Sequence, residues 1–370
     1  MPIQSQVRAA VTQSLSELRL QIDALDTQLL ALLNRRAQIA EEVGALKRRE
    51  GSAFFRPDRV AIVIEKIQQA NHGPLKNEHV ASIWREIMSA CLALESPQRV
   101  AVLGPAGTFT EQAALEYFGS AVEFVYCANF DEVFHATTSG TSQFGVVGVE
   151  NSTEGVVTRS LDLFLHSPVH VVAEVSMMVR HHLLRRDNSL EDIEAVLAHP
   201  QALAQCQDWL SRYLPNVERR SVSSNAEGAR LAASNTAWAC LASDRAATQW
   251  GLHIVGHAIQ DDASNRTRFA VICLPETMSA PDATSHDCTS LVVSVPNRPG
   301  AVHDLLMPLK NHGVSMTRFE SRPARTGQWD YYFYIDLDGH PSEPHMQRAL
   351  SELQHLCAFY KVLGTYPVAR

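Results

Sequence analysis

The sequence predicts a multidomain protein with an all-α segment, an α/β segment and an α+β segment, in that order. Apolar residues recur at helical spacing near the N-terminus, short apolar runs alternate with helices in the middle, and a βαββαβ pattern ends the chain. The 370 residues suffice for two or three hydrophobic cores. We place the domains at residues 1–96, 97–276 and 288–370, with a linker rich in Pro, Ser, Thr and Asp at residues 277–287.

One long helix, residues 14–49, opens the first segment, and two shorter ones follow at about residues 57–71 and 77–95. The apolar residues of the long helix alternate in steps of four and three, as in helices packed against other helices. They are Leu18, Ile22, Leu25, Leu29, Leu32, Ile39, Val43 and Leu46. A helix of about 50 Å cannot bury this seam in a small monomer, so we expect an intertwined dimer.

A single arginine, Arg36, interrupts the seam, and Lys47 lies on nearly the same face about 16 Å along the axis. A guanidinium in a packed seam is costly unless an anion or a hydrogen-bonding network meets it. Two interpretations are open: a structural Arg paired with a buried carboxylate, or two cations that converge on a small, doubly negative molecule.

The second segment alternates β and α units, which predicts open parallel sheets with ligands beyond the carboxyl ends of the strands. The strands are predicted at residues 100–103, 144–149, 169–179 and 195–198. Polar clusters fall at the expected ligand positions, at residues 107–110, 151–153, 199–201 and 223–225. Because the segment contains two stretches of alternating strands and helices, we expect two lobes around a cleft.

The third segment contains a strand, residues 329–337, in which one set of side chains alternates with another. Trp329, Tyr331, Phe333 and Ile335 point one way, and Asp330, Tyr332, Tyr334 and Asp336 point the other way. We therefore expect one buried face on this strand.

Composition and charge exclude several classes of function. The net charge is −8 and no basic patch is present, so we expect neither nucleic-acid nor membrane binding. The seven cysteines are scattered and never in CxxC spacing, which indicates reduced thiols in the cytoplasm. No signal peptide, membrane span or metal-ligand pattern is predicted, and we expect no cofactor.

Three stretches in order carry a resemblance to a known family: residues 145–155 (GVVGVENSTEG), residues 267–269 (TRF) and residues 320–323 (ESRP). With the cationic helix, they resemble the bifunctional chorismate mutase–prephenate dehydratases of phenylalanine biosynthesis. The resemblance implies a helical mutase dimer, a two-lobed dehydratase domain like the periplasmic binding proteins, and a ferredoxin-like ACT domain. It further implies chorismate and prephenate as substrates, phenylalanine as effector, and a homodimer or higher oligomer.

Chorismate rearranges to prephenate by a pericyclic step, so a mutase must hold the reactive conformer of the dianion and stabilise charge on the breaking ether oxygen. The resemblance implies that Arg19 of the partner chain, Arg36, Lys47 and Arg59 do this. Glu95 stands where the family often has a Gln that donates to the ether oxygen. Val60 stands where a Glu commonly contacts the substrate hydroxyl.

Glu95 leads to a prediction of pH dependence. A carboxylate would repel the negative charge that develops on the ether oxygen, so Glu95 should act only when protonated. We expect mutase activity to fall as rising pH removes this proton, and Glu95→Gln to flatten the pH profile. A profile that the substitution leaves unchanged would contradict the prediction and favour a merely structural Glu at a helix end.

The dehydratase step expels carbon dioxide and hydroxide from prephenate. The resemblance implies that Thr267 protonates the departing hydroxyl, relaying the proton through hydrogen bonds, and that Arg268 binds the anion. The structural alternative for Thr267 is an ordinary strand threonine. The other implied substrate-binding residues are Thr108, Asn151, Ser152, Thr153, Gln201, Ser224 and Phe269.

The ACT resemblance implies a phenylalanine site at a dimer interface. Gly300, Ala301 and Val302 begin a helix whose N–H groups suit a carboxylate. Glu320, Ser321 and Arg322 lie on the facing element. Feedback inhibition is expected.

Two alternatives remain open at this point. One is a dehydratase with a weakened or inactive mutase, with Val60 as the suspect residue. The other is a ligand sensor without turnover.

Overall fold

The structure is a computed structural model that describes residues 14–50, 56–278, 283–284, 286–324 and 331–368. Residues 1–13, part of the predicted linker (279–282 and 285), and Trp329 and Asp330 lie outside the described residues. No helix in the described part of the chain is both long and apolar enough to cross a membrane.

Three helices form the first part of the chain: α1 (Leu15–Glu50), α2 (Pro57–Ala70) and α3 (Asn77–Glu95). Their bounds agree with the predicted helices to within one residue. Gly44 is the buried residue among those of α1 that the structure describes. A Cβ at this position would lie only 2.9 Å from the Cα of Glu95. Glycine therefore permits the close approach of α1 to the end of α3.

The middle part of the chain forms two sheets. The first contains β1 (Arg99–Leu103), β2 (Glu123–Cys127), β3 (Phe144–Asn151), β4 (Gly155–Val156), β5 (His170–Met178) and β11 (Arg266–Cys273), with helices α4 (Phe109–Phe118), α5 (Phe130–Thr138) and α6 (Thr158–His166). The second contains β6 (His182–Arg185), β7 (Ala195–Ala198), β8 (Glu218–Ser221), β9 (Trp238–Ala242) and β10 (His253–Gly256), with helices α7 (Pro200–Gln205), α8 (Gln207–Tyr213), α9 (Asn225–Ala233) and α10 (Asp244–Trp250).

The expectation of open parallel sheets is wrong, since both sheets are mixed. The first has the order β2-β1-β3-β11-β5, in which β11 runs antiparallel to β3 and to β5. The second has the order β10-β6-β9-β7-β8, in which β6 is antiparallel to β9 and to β10. The chain leaves the first sheet after β5 and re-enters it through β11 from the second sheet. These two crossings join two lobes, as predicted.

The C-terminal part is a four-stranded antiparallel sheet with the order β13-β14-β12-β15, and its βαββαβ pattern is confirmed. Its elements are β12 (Asp287–Ser294), α11 (Ala301–His312), β13 (Met316–Pro323), β14 (Tyr331–Asp338), α12 (Pro344–Leu356) and β15 (Phe359–Pro367). One face of the sheet packs against α11 and α12 around Leu291, Leu305 and Leu353.

The opposite face of this sheet is also covered, so the expectation of one buried face on β14 is wrong. Phe333 and Ile335 are buried on one side, and Tyr334 and Asp336 are only 3% and 5% exposed on the other. The Tyr334 hydroxyl donates to the carbonyl of Leu161 on α6 at 2.7 Å. The sheet therefore packs directly on the first lobe, which the strand pattern alone does not reveal.

Candidate active sites

A cavity of about 370 Å³ lies between the two lobes of the middle segment. The first lobe contributes the ends of β1, β3 and β11, and the second lobe contributes the loops before α7, α9 and α10. Of the residues predicted to bind substrate, the cavity wall includes Thr108, Asn151, Gln201, Ser224, Thr267 and Phe269.

Four helices begin at this cavity: α4, α7, α9 and α10. Their N-cap residues, Thr108, His199, Ser224 and Ser243, all line it, and each accepts a hydrogen bond from a backbone N–H in the first turn. Helix N-termini carry partial positive charge and present N–H donors. Among the described residues of the wall none is Lys or Arg, so the positive potential here comes from α4 and α9, with further N–H donors from the shorter α7 and α10.

Asn151 fixes the hydroxyl of Thr267. The Nδ2 of Asn151 donates to Thr267 Oγ1 and to Asn265 Oδ1, both at 2.8 Å. Its Oδ1 accepts from the backbone N–H groups of Thr153 and Glu154 at 3.0 and 3.1 Å, which sets the orientation of the amide. Because Thr267 Oγ1 already accepts one hydrogen bond, its own proton remains available to a molecule in the cavity.

A β-bulge arranges the cavity side of β11. Thr267 pairs with Asn151, but Phe269 pairs with Gly148, so β3 has one additional residue between the two pairs. Such a bulge re-aims side chains along the strand. As a result, Asn151 and Gly148 on β3 and Thr267 and Phe269 on β11 all face the cavity.

Arg268, between the two cavity residues of β11, lies on the opposite face of the sheet. It donates to Glu174 at 2.5 and 2.7 Å, to Glu150 at 2.9 Å and to Asp336 of the C-terminal sheet at 3.2 Å. Burial alone would lower the pKa of Arg268, but the carboxylates of Glu174 and Asp336 outweigh it and raise the pKa. The predicted role as anion partner of the substrate does not fit, because strand alternation turns the guanidinium away from the cavity.

The helical segment brings Lys47 and Glu95 together. Lys47 Nζ lies 2.8 Å from Glu95 Oε2, and the two side chains are 26% and 12% exposed. Arg48 also donates to the Glu95 carbonyl at 2.5 Å. Arg36 is half-buried, while Arg19 and Arg59 are exposed. Lys47 and Glu95 therefore bind each other in the single chain, and this contact must open before either side chain can meet a substrate.

The seam of α1 is exposed along its whole length in the single chain. Leu25, Leu29 and Leu32 are 56%, 55% and 63% exposed, and Ile39 and Leu46 are each 53% exposed. An apolar stripe of this length is typical of an interaction surface.

Three family models match the chain in sequence order. They describe chorismate mutase type II over residues 18–96, prephenate dehydratase over residues 100–277, and the ACT domain over residues 289–355. A bifunctional chorismate mutase/prephenate dehydratase from Stutzerimonas stutzeri is 45% identical over 361 residues, which cover 96% of this chain and 98% of the relative. The chain belongs to the bifunctional chorismate mutase/prephenate dehydratase family.

Two solved structures are similar to most of the chain. A prephenate dehydratase from Arthrobacter aurescens in complex with L-Phe has a TM-score of 0.67 and 31% identity, covering 73% of this chain and 89% of its own. GqqA, described as a novel type of quorum quenching acylase, has a TM-score of 0.67 and 27% identity, covering 74% of this chain and 98% of its own. One fold can thus host different activities, and the site residues decide between them.

The family assigns the two candidate sites to different parts of the bifunctional chain. Lys47 and Glu95 lie within the chorismate mutase match, and the cavity with Thr267 lies within the prephenate dehydratase match. Val60 is half-buried and packs against the hydrophobic cluster of the first dehydratase lobe.

Several predicted dehydratase residues have structural duties. Thr108 Oγ1 donates to the Leu103 carbonyl at 2.7 Å while it caps α4, and Ser224 Oγ accepts from the N–H of Glu227 at 3.0 Å. Both therefore hold helix ends at the cavity, and the Thr108 hydroxyl proton is already donated to the Leu103 carbonyl. Ser152 and Thr153 are exposed and do not belong to the described cavity wall, and Ser152 Oγ accepts from the N–H of Arg266.

Three polar residues near the dehydratase site are not predicted from the sequence: His181, Gln205 and Asn265. None belongs to a recognisable motif, and tertiary contacts alone bring them to Asn151. A different signal was readable in the sequence. The spacing Ser/Thr-x-x-Glu occurs at residues 108–111 and 224–227 and is typical of a helix N-terminus.

The predicted effector residues lie on two elements of the ACT domain. Gly300 caps α11 with a positive φ of 82°, Ala301 is buried and Val302 is 38% exposed. Glu320, Ser321 and Arg322 lie on β13, the edge strand of the sheet. Arg322, predicted as an effector ligand, donates instead to Thr158 and Asp162 of α6, at 3.1 and 3.2 Å. This contact ties the edge strand to the dehydratase.

Proposed function

We propose that the chain rearranges chorismate to prephenate at the helical site and converts prephenate to phenylpyruvate in the cavity. The observation that carries the proposal is the Thr267 hydroxyl, which Asn151 holds with its proton free in a cavity ringed by helix N-termini. The N–H donors at the helix N-termini suit the two carboxylates of prephenate, and the Thr267 hydroxyl suits its leaving hydroxyl group as the acid.

In the dehydratase step, the helix N-termini hold the carboxylates of prephenate. Loss of carbon dioxide from C1 supplies the electron pair that aromatises the ring, and the C4–O bond breaks. Thr267 donates its proton to the departing oxygen, which leaves as water. The N–H of Asn151 stabilises the resulting alkoxide until solvent returns the proton. An Asn amide does not relay protons, so the relay to Thr267 runs through water.

In the mutase step, positioning replaces acid–base chemistry. Arg36 suits a carboxylate of chorismate, and Lys47 suits the ether oxygen. The Lys47–Glu95 ion pair must open before Lys47 can meet the substrate. Glu95 then faces the same oxygen, which is why Glu95→Gln is expected to remove the pH dependence.

The exposed seam of α1 favours a homodimer. Its side chains are apolar over more than 40 Å of helix, and the described parts of the chain leave them uncovered. Arg19 lies about 100° around the helix from the seam, which places it toward the site of a second copy. We infer that α1 pairs with α1 of the partner and completes the mutase site.

Phenylalanine is the proposed effector, and L-Phe is bound in the Arthrobacter relative. The ACT sheet contacts the catalytic strand directly, because Asp336 pairs with Arg268, the neighbour of Thr267. Arg318 pairs with Glu150 on β3 at 3.3 Å. A shift of the ACT domain would therefore displace both β3 and β11, which carry Asn151 and Thr267. Allosteric control requires such contacts, which differ between two states of the protein.

We expect the Arg322–Asp162 ion pair to transmit this control from the ACT domain to the dehydratase. Asp162→Ala should weaken inhibition of prephenate turnover by phenylalanine about threefold or more, with phenylalanine binding measured by calorimetry retained. Asp131→Ala is the matched control, because Asp131 pairs with Arg159 of the same helix without reaching the ACT domain. Equal effects of the two substitutions on inhibition would contradict this route.

The test of the function is to follow chorismate consumption and phenylpyruvate formation together, from about pH 5 to 8, with the purified protein. Both signals are expected. Conversion of added prephenate with chorismate untouched would indicate a dehydratase with an inactive mutase, and Val60 would be its suspect. Failure to consume either substrate would favour a ligand sensor.

A further inference from the structure

His181 lies in the wall of the dehydratase cavity, just before β6, and is only 3% exposed. Its Nε2 is 3.0 Å from Gln205 Oε1, and its ring packs edge-on against Phe109 with centroids 5.6 Å apart. Its Nδ1 is buried and has no hydrogen-bond partner among the residues that the structure describes. Because His181 lines the cavity and a buried polar atom normally has a partner, a ligand that reaches Nδ1 would satisfy it.

The surrounding amide groups determine which ring nitrogen of His181 carries the proton. Gln205 Oε1 also accepts from Asn265 Nδ2 at 3.2 Å, and Gln205 Nε2 donates to Glu154 Oε1 at 3.5 Å. An amide oxygen can only accept, so His181 carries its proton on Nε2 and leaves Nδ1 as a bare acceptor. Burial lowers the pKa of His181 to about 4, which keeps the ring neutral near pH 7.

A continuous chain of hydrogen bonds links His181 to Thr267. Gln205 Oε1 binds Asn265, Asn265 Oδ1 accepts from Asn151, and Asn151 donates to Thr267. One cavity therefore contains, at the two ends of a single side-chain network, an acceptor without a proton and a hydroxyl with a proton to give.

Prephenate at neutral pH has a single hydrogen-bond donor, its ring hydroxyl, since its other oxygens are carboxylate or ketone acceptors. We propose that Nδ1 of His181 accepts the hydrogen bond of this hydroxyl and so orients the leaving oxygen toward Thr267. When Thr267 transfers its proton, the leaving group becomes water, and the same acceptor holds one of its two O–H groups. This assignment deepens the proposed dehydratase activity and rests on it.

The test compares two inhibitors of prephenate turnover, phenylpyruvate and 4-hydroxyphenylpyruvate, which differ in a ring hydroxyl para to the side chain. The wild-type protein should bind the hydroxylated compound about 3- to 10-fold more tightly. His181→Phe keeps the ring contact with Phe109 and removes the acceptor, so it should abolish this preference and lower kcat/KM for prephenate about tenfold or more. His181→Asn places an amide oxygen near the position of Nδ1 and should restore part of the preference.

Chorismate turnover by the same preparations reports the concentration of folded chain. A wild-type protein that converts prephenate without the preference, or a His181→Phe variant that keeps it, would overturn the assignment. If His181→Phe does not fold, His181→Asn decides alone, since loss of the preference there would exclude Nδ1 as the contact. A wild-type protein that leaves prephenate unconverted refutes the proposed function itself, and this assignment with it.

Discussion

Thr267→Ala should lower prephenate turnover by about three orders of magnitude and leave chorismate rearrangement unchanged. A positioned general acid contributes about 10²- to 10⁴-fold, and Thr267 is the hydroxyl that Asn151 holds toward the cavity. The mutase site shares no described residue with this cavity, so its rate serves as an internal control. The measurement is phenylpyruvate formation from added prephenate beside chorismate consumption by the same sample.

Thr267→Ser is the matched variant, because it keeps the hydroxyl and removes only a methyl group. It should retain most of the turnover, although the serine side chain is less restrained in a strand. Thr267→Ala that retained turnover to within tenfold would refute the role of the hydroxyl. An equal loss in both variants would instead assign the effect to packing of the methyl group.

The largest effect on the mutase is expected from the seam of α1. Leu25→Asp combined with Leu29→Asp should reduce chorismate turnover at least 100-fold while prephenate turnover persists. Both leucines are more than half exposed in the single chain, so the folded monomer tolerates the change. An interface that buries four unpaired carboxylates, two from each chain, does not. Separation of the helices also removes Arg19 of the partner, and loss of one such charged donor costs about 10²- to 10³-fold.

Leu20→Asp is the control for this experiment. Leu20 is 68% exposed, at least as accessible as Leu25 and Leu29, but lies about 140° to 180° around the helix from them. It should leave chorismate turnover near the wild-type rate. Wild-type mutase activity in the double variant would show that the site functions without the paired helices and would contradict the intertwined dimer.

The helices and the ACT pattern were predictable because their signals are local. The long helix α1 and the βαββαβ order of the C-terminal segment follow from spacing along the chain, and the structure confirms both. The packing of the α1 seam against a second chain stays a prediction. Sheet direction is different. The antiparallel position of β11 depends on where the chain returns after the second lobe, and no neighbouring residue encodes that return.

Arg268 shows the limit of motif reasoning at the site. Its neighbours Thr267 and Phe269 reach the cavity, and simple alternation along a strand already turns Arg268 away. As a motif, however, the three residues predict one functional unit, which the structure divides between two faces of the sheet. Glu150 and Glu174 of the same sheet bind the guanidinium, and the docked ACT domain adds Asp336.

The sequence by itself determined the family and the order of the three segments, because periodicity and short motifs depend on residues that lie close together in the chain. It also predicted roles for the cationic helix and for Thr267, which stay predictions. Tertiary structure alone decided which polar groups meet. It joined His181 to Thr267 through Gln205, Asn265 and Asn151, and it buried both faces of β14. Hydrogen bonds between side chains as distant in sequence as Asn151 and Asn265 require the folded backbone to set their separation, and no local pattern contains that distance.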